Sequence, residues 1–425
     1  LLTVFVVAVF IITYALIVQG KYPRSVLAFA AGITILLLKV SAELTVENVG
    51  EYVDFNTLGL LIGMMIIVGV LKSTGFFEFI TAWIVKLSKG KMLRIYFLLL
   101  ITAAILSSVL DNVTTILVFS PIVLFISDSL SINPMPLILS LLFAANIGGT
   151  ATILGDPPNL LIGNASGKSF VEFSSVMLTP TFIVMGFFLL YRRKRDAFIA
   201  KIPSEKLERL MAIEPMKAIT DKKLFIQSVT VFFLVIVGFL LHKVLGYEAS
   251  LVALCGATVI MIFSKLDFQR IASEIEWETL FFFIGLFTLT RALEDVGVTG
   301  SLAQLLAGLQ VPPLFIVLLI LWISGMLSGI IGAVPITTVF IPIVHSLQGV
   351  IPHSVELWWA LALGASLGGN TGLSGAAANM VAVGLVEKSF KEKVSYMKFF
   401  KEGIIVTLIG LSVSTAYLVI RWSML

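Results

Sequence analysis

The chain has one cysteine, Cys255, inside an apolar run. A single thiol forms neither an internal disulfide nor a multi-thiolate metal site, so Cys255 reads as a packing residue. Histidine is scarce too, with three in 425 residues. No zinc, haem or nucleotide motif is present, and no Walker-type glycine-lysine loop. The chain therefore carries no ATPase of its own, and no cofactor, metal or nucleic-acid partner is expected. No nucleophile–base constellation is visible, which argues against an enzyme. Charge is the third scarcity. Asp, Glu, Lys and Arg make up 13% of the chain, against roughly 25% in a soluble domain. Apolar residues fill the space, at 58%. They lie in long, numerous runs, and the solvent that suits such runs is lipid.

The runs predict an all-α polytopic membrane protein with about ten spans. They fall near 1–18, 26–40, 57–72, 136–164, 178–191, 224–242, 249–264, 278–294, 357–384 and 403–421. The first run has no basic n-region and no clear cleavage site, so it reads as a span rather than a signal peptide. Runs 136–164 and 357–384 are too long, and too rich in Gly, Asn and Thr, for simple helices. Stretches 92–128 and 314–346 carry a polar or glycine-rich interruption at the middle and read as re-entrant hairpins. Segments 75–88 and 297–310 read as interfacial helices. In the first, Phe76, Phe79, Ile80, Trp83, Ile84 and Leu87 form one apolar stripe.

The charges agree with this count. Lys21 and Arg24 mark one loop and Lys86, Lys89, Lys91 and Arg94 another, whereas Glu43, Glu47, Glu51 and Asp54 mark the loop between them. Segment 192–223 has ten basic residues against five acidic, and 385–402 holds Lys388, Lys391, Lys393, Lys398 and Lys401. All the basic segments share one side only if both hairpins re-enter without crossing. Positive residues mark the cytoplasmic side, so loop 192–223 is expected in the cytoplasm of a multi-pass inner (plasma) membrane protein.

The sequence also repeats itself. Val53-Asp-Phe-Asn-Thr-Leu58 matches Ile275-Glu-Trp-Glu-Thr-Leu280, Gly75 matches Gly297, and Phe119-Ser-Pro-Ile-Val123 matches Phe340-Ile-Pro-Ile-Val344. Ala145–Phe170 lies ungapped on Ala365–Phe390, with Gly148-Gly149 on Gly368-Gly369, Asn159 on Asn379 and Lys168-Ser-Phe170 on Lys388-Ser-Phe390. This gives a first repeat at 1–191, a cytoplasmic linker at 192–223 and a second repeat at 224–425. An odd number of spans in the first repeat inverts the second. Inverted repeats with broken helices at matching positions mark secondary transporters, which bind substrate near the midplane.

Non-helical backbone at membrane depth must be buried in protein or line a wet cavity. Four such elements hold the candidate site. The first hairpin tip offers Asp111, Asn112, Thr114 and Thr115; the first broken helix offers Asn146, Gly148, Gly149, Thr150, Thr152, Asp156 and Asn159. The second tip offers Pro335, Thr337 and Thr338; the second broken helix offers Asn370, Thr371, Ser374 and Asn379. Asp111 and Asp156 are the intramembrane carboxylates, and such groups are functional candidates by default. A partly dehydrated carboxylate resists carrying its charge, so these two are expected to carry proton coupling. Their repeat mates are Gly332 and Ala376, so the scaffold is duplicated and the charge is not.

At these residues, above all Gly155-Asp-Pro-Pro-Asn159 and Asp111-Asn-Val-Thr114, the chain resembles the ArsB/NhaD group of the ion transporter superfamily, nearest the P protein-like branch. The resemblance covers nearly the whole chain. It implies two inward-pointing hairpins, a moving transport domain and a homodimer, with a cytoplasmic ATPase as an optional partner. The relatives include arsenite and antimonite exporters, sodium/proton antiporters and sodium-coupled carboxylate carriers. The chain departs from the Ser-Asn-Thr tips of the carboxylate carriers, having Asp111-Asn112 and Gly332-Ala333 instead. No Lys or Arg lies in the four elements. Such a site suits a cation or a neutral hydroxylated solute, which Thr150, Asn146 and Asn370 could bind. Proton-coupled export of arsenite, antimonite or a similar small solute therefore leads. Sodium/proton antiport is second, and organic or inorganic anion transport third. The hairpins argue against a channel, since they supply alternating barriers.

Overall fold

The computed structural model describes residues 2–89, 91–130, 132–196, 199, 214–390 and 394–425. These residues form twenty α-helices and no strand. The first half holds α1 (Leu2–Gln19), α2 (Arg24–Leu37), a short α3 (Val49–Tyr52), α4 (Phe55–Ser73) and α5 (Phe76–Leu87). It continues with α6 (Met92–Ser107), α7 (Asn112–Leu130), α8 (Met135–Gly149), α9 (Pro157–Ser166) and α10 (Phe170–Arg195). The second half holds α11 (Lys222–Leu245), α12 (Ala249–Ser264), a short α13 (Phe268–Ala272), α14 (Trp277–Asp295) and α15 (Val298–Ala307). Then follow α16 (Pro313–Ile331), α17 (Ala333–Leu347), α18 (Val355–Gly368), α19 (Ala377–Phe390) and α20 (Tyr396–Trp422).

Six described helices are long and apolar enough to cross a bilayer: α1, α4, α10, α11, α16 and α20. The other expected spans are present as shorter or more polar helices. Two expected spans prove longer: 178–191 and 403–421 are parts of α10 and α20. In α10 the cause is a cap. Ser169 Oγ accepts from the Glu172 N–H at 3.1 Å, and the Glu172 carboxylate accepts from the Ser169 N–H at 2.8 Å. This reciprocal pair starts the helix before its apolar run begins. Residues 200–213 of the basic segment, and Lys391 and Lys393, lie outside the described residues.

The two halves are built alike and packed crosswise. α2 of the first half lies on α14 of the second, and α12 of the second lies on α4 of the first. α6 packs on α8 as α16 packs on α18, and α7 meets α19 as α17 meets α9. The second half is upside down relative to the first. Lys72 at the end of α4 reaches Glu274, just before α14, at 3.2 Å. Arg291 near the end of α14 reaches Glu43, well before α4, at 2.6 Å. The starts of α4 and α14 therefore lie on opposite faces.

The hairpins α6–α7 and α16–α17 carry their tips to the breaks between α8 and α9 and between α18 and α19. A Cβ on Gly148 would lie 2.1 Å from the Ala104 carbonyl oxygen, and one on Gly368 2.0 Å from that of Gly325. Only glycine permits these approaches. Gly332, at the second tip, has φ +115° and ψ 147°, a region that is essentially glycine's alone. α16 is long enough to cross by itself, but its chain turns at the second break, where the Ala333 N–H donates to the Gly375 carbonyl at 2.9 Å. The core of the molecule is the pair α8 and α18. Every residue from Leu137 to Gly149 and from Glu356 to Gly368 is buried. α5 and α15, the expected interfacial helices, each follow a left-handed glycine, Gly75 and Gly297.

Candidate functional site

The breaks free backbone carbonyls, and two matched asparagines serve them. Asn159 Nδ2 donates to the carbonyls of Gly149, Thr150 and Thr152 at 3.3, 3.1 and 3.0 Å. Asn379 Nδ2 does the same for Gly369 and Gly372 at 2.8 and 2.7 Å. Between them sits Asn146, whose Nδ2 donates to Asn370 Oδ1 and Asn379 Oδ1, both at 3.0 Å. Asn112 Nδ2 donates to Asn146 Oδ1 at 3.1 Å and lies 3.3 Å from Asp156 Oδ1. A chain of buried amides thus joins the first tip and both breaks. Buried amides need such partners, and this network fixes the geometry around the two acids.

Asp111 caps α7. Its carboxylate accepts from the Thr114 N–H at 2.7 Å and from Thr114 Oγ1 at 2.6 Å. Thr115 Oγ1 donates to the Asp111 carbonyl at 3.0 Å. Thr150 Oγ1 donates to the Asn146 carbonyl at 3.0 Å, and Thr152 Oγ1 to the Ser108 carbonyl, which ties the first tip to the first break. Thr338 bonds the Pro335 carbonyl, Ser374 the Ile330 carbonyl, and Thr371 the hydroxyl of Thr407. The Thr337 hydroxyl is buried without a hydrogen-bond partner. Asp156 is buried, at the turn into Pro157.

A cavity of about 470 Å³ opens between the tips and the breaks. Of the residues expected from the sequence, Asp111, Asn112, Asp156, Pro335 and Ser374 line it. The rest stand behind this surface: Thr114, Thr115, Asn146, Gly148, Gly149, Thr150, Thr152, Asn159, Thr337, Thr338, Asn370, Thr371 and Asn379 shape the wall without lining it. Four lining residues carry charge that the sequence reading did not place there: Lys21 and Arg24 from the α1–α2 connection, and Glu276 and Glu278 from the start of α14. Arg24 is held with its guanidinium 5.1 Å from the centre of the Phe282 ring. Glu278 and Glu276 line the same cavity. The expectation of a site without basic side chains is therefore corrected. It counted only the four interrupted elements, whereas the fold brings a connection from outside them over the cavity. One signal was in reach: Glu276 and Glu278 lie in the segment that repeats Val53–Leu58.

Among the described residues no group of three or more His, Cys, Asp or Glu side chains could hold a metal ion. The acids are spread around the cavity wall rather than gathered at one point.

Apolar helices, crossed halves, and broken helices facing hairpin tips across a charged cavity define a membrane transporter. The chain belongs to the CitMHS family, described as citrate transporter, whose profile matches residues 14–364. It is 38% identical over 429 residues to a 46 kDa membrane protein of Mycobacterium leprae, covering 99% of both chains. It is 36% identical over 433 residues to an uncharacterized transporter of Mycobacterium tuberculosis, covering 100% of both. The P protein of Mus musculus is 30% identical over 497 residues, covering 97% of this chain and 60% of that protein. The crystal structure of the YdaH transporter of Alcanivorax borkumensis superposes with a TM-score of 0.60 at 15% identity, covering 94% of this chain and 97% of that one. At that identity the likeness speaks for the fold alone. The family, the Mycobacterium tuberculosis relative and the solved structure are described as transporters, not as enzymes.

Proposed function

We propose that this chain is a proton-coupled secondary transporter of a small carboxylate solute, set in the cytoplasmic membrane with its basic segments inside. The observation that carries this reading is the meeting of Arg24 and Lys21 with Asp111, Asp156, Glu276 and Glu278 around one cavity. A guanidinium fork matches a carboxylate geometrically and keeps its charge at any physiological pH. The family's description as citrate transporters supports the same solute class. The acids outnumber the basic side chains, so the cavity suits an anion that travels with a cation. Each acid can carry a proton by itself, and Asp111 and Asp156 sit on the interrupted elements, which are the parts suited to move. The metalloid reading rested on a site without basic groups, and with Arg24 in place that support is gone.

Uptake into proteoliposomes under an imposed pH gradient, with citrate, arsenite and sodium compared, tests the proposal. Citrate is expected to accumulate, and arsenite and sodium alone are not. Arsenite flux with no effect of citrate would return the metalloid reading. Sodium–proton exchange without an organic solute would make the chain an antiporter.

A further inference from the structure

On the face opposite the cavity, the start of α4 holds the end of α9. Asn164, in the last turn of α9, donates from Nδ2 to Asp54 Oδ2 at 2.9 Å and to Thr57 Oγ1 at 2.7 Å. Its Oδ1 accepts from Asn56 Nδ2 at 3.1 Å. The amide is thus held on three sides by one turn of α4. That turn is itself anchored. Asn56 Oδ1 accepts from the Ser250 N–H of α12 at 3.2 Å, and a Cβ on Gly63 would lie 2.7 Å from the Ala253 backbone. α9 itself packs on α17 and α18. Its two ends do different things: Asp156, just before its first residue, lines the cavity, and Asn164 grips α4.

The repeat gives this clasp a counterpart. Asp54, Asn56 and Thr57 align with Glu276, Glu278 and Thr279. At that second position there is an open cavity in place of a clasp, and the residue aligned with Asn164 is Gly384, which has no side chain to bond. One face is therefore closed by hydrogen bonds between α4 and α9, and the equivalent place on the other face is open.

We infer that Asn164, clasped by Asp54, Asn56 and Thr57, is the latch that closes the far side of the transport path, and that the structure is the state open toward the α1–α2 connection. Releasing the latch frees α9 to leave α4, which carries Asp156 toward the other face. The inference goes beyond the solute reading and does not depend on which solute moves.

The test uses cysteine accessibility in a Cys255→Ser background, because Cys255 is exposed. Leu160, one turn before Asn164 on the same face of α9, is 2% exposed and reports opening of the latched side. Met380 lines the cavity and is 44% exposed, so it reports the open side. A membrane-impermeant maleimide is applied to each face of vesicles holding the full chain. With Asn164→Ala, labelling of Leu160→Cys from the face where α4 begins should rise on the order of 10-fold, because three hydrogen bonds that hold one state are gone. Labelling of Met380→Cys should not rise. Asn56→Ala, which removes one of the three bonds to Asn164 together with the Ser250 contact and leaves α9 intact, should give a smaller increase and decides the matter if Asn164→Ala fails to fold. Unchanged Leu160→Cys labelling in the folded variants overturns the latch. A rise at both reporters also overturns it, since that marks general loosening rather than exchange between two states.

Discussion

Replacing Arg24 by glutamine tests the binding reading most directly. The guanidinium lines the cavity from the α1–α2 connection, 5.1 Å from the centre of Phe282, and Glu276 and Glu278 line the same cavity. A hydrogen bond between this group and a solute carboxylate contributes about 1.5–3 kcal/mol. Its loss raises the concentration for half-maximal uptake by about 10- to 150-fold. A second effect adds to the first. Without Arg24 the solute faces four carboxylates with Lys21 alone as counter-charge, and a like charge at about 6 Å costs about 3 kcal/mol at an effective dielectric of about 20. Both effects push the same way, so about 10-fold is the floor. Arg24→Lys keeps the charge and loses the fork, and is expected between the two. The assay is the concentration dependence of citrate uptake in proteoliposomes at fixed pH gradient, with thermal unfolding in detergent as the check on folding. A folded Arg24→Gln protein whose half-saturation stays within about 2-fold of the parent would refute the reasoning. The arginine would then be a partner of Glu276, Glu278 and Phe282 and nothing more.

Asp111→Asn and Asp156→Asn should each abolish pH-driven accumulation while solute exchange without a gradient persists; accumulation by both variants would make the acids simple caps. Gly148→Ala and Gly368→Ala should each destabilise the protein by about 1–3 kcal/mol, because the new methyl meets backbone oxygen near 2 Å; an unchanged melting temperature in detergent would show that the hairpin arms α6 and α16 are not in firm contact with α8 and α18. Lys194 is exposed at the end of α10, and Lys194→Cys in a Cys255→Ser background should resist impermeant maleimide in intact cells and react in inverted vesicles; ready labelling from outside would reverse the proposed orientation.

The sequence pointed to those parts of the candidate site whose residues break a local rule. Asp111 and Asp156 are acids in apolar stretches, and the paired glycines of the two breaks recur at one spacing, so no tertiary information was needed to see them. The hairpins were legible for the same reason, and the tips do meet the breaks. Arg24 and Glu276 break no rule. A basic residue in a short loop and an acid before a helix are ordinary span ends, and only crosswise packing of α2 on α14 brings them to the cavity. The asparagines were legible as polar groups at the breaks. Their task was not, because whether an amide faces a solute or a freed carbonyl depends on contacts such as those of Asn159 and Asn379 with the backbone beside them.

The uneven charge of the two repeats takes on meaning once both faces are compared. Asp111 and Asp156 belong to the hairpin and broken helix of the first repeat, whereas Glu276 and Glu278 belong to the packed helices of the second. In this state the first pair shares a cavity with the second pair and with Arg24 and Lys21. If the latch at Asn164 opens and the interrupted elements move, the first pair leaves that company and comes to the start of α4. There the aligned residues are Asp54, Asn56 and Thr57, with no basic side chain among them. The same two carboxylates would thus meet different neighbours in the two states, Glu278 on one face where the other has Asn56. A symmetric duplication could not supply that difference, because it would offer equal neighbours on both faces. On the proposed reading, the two acids in the interrupted elements of the first repeat and the extra acid Glu278 at the start of α14 are one arrangement: the moving elements carry the titrating groups, and the fixed ones tell them which side they are on.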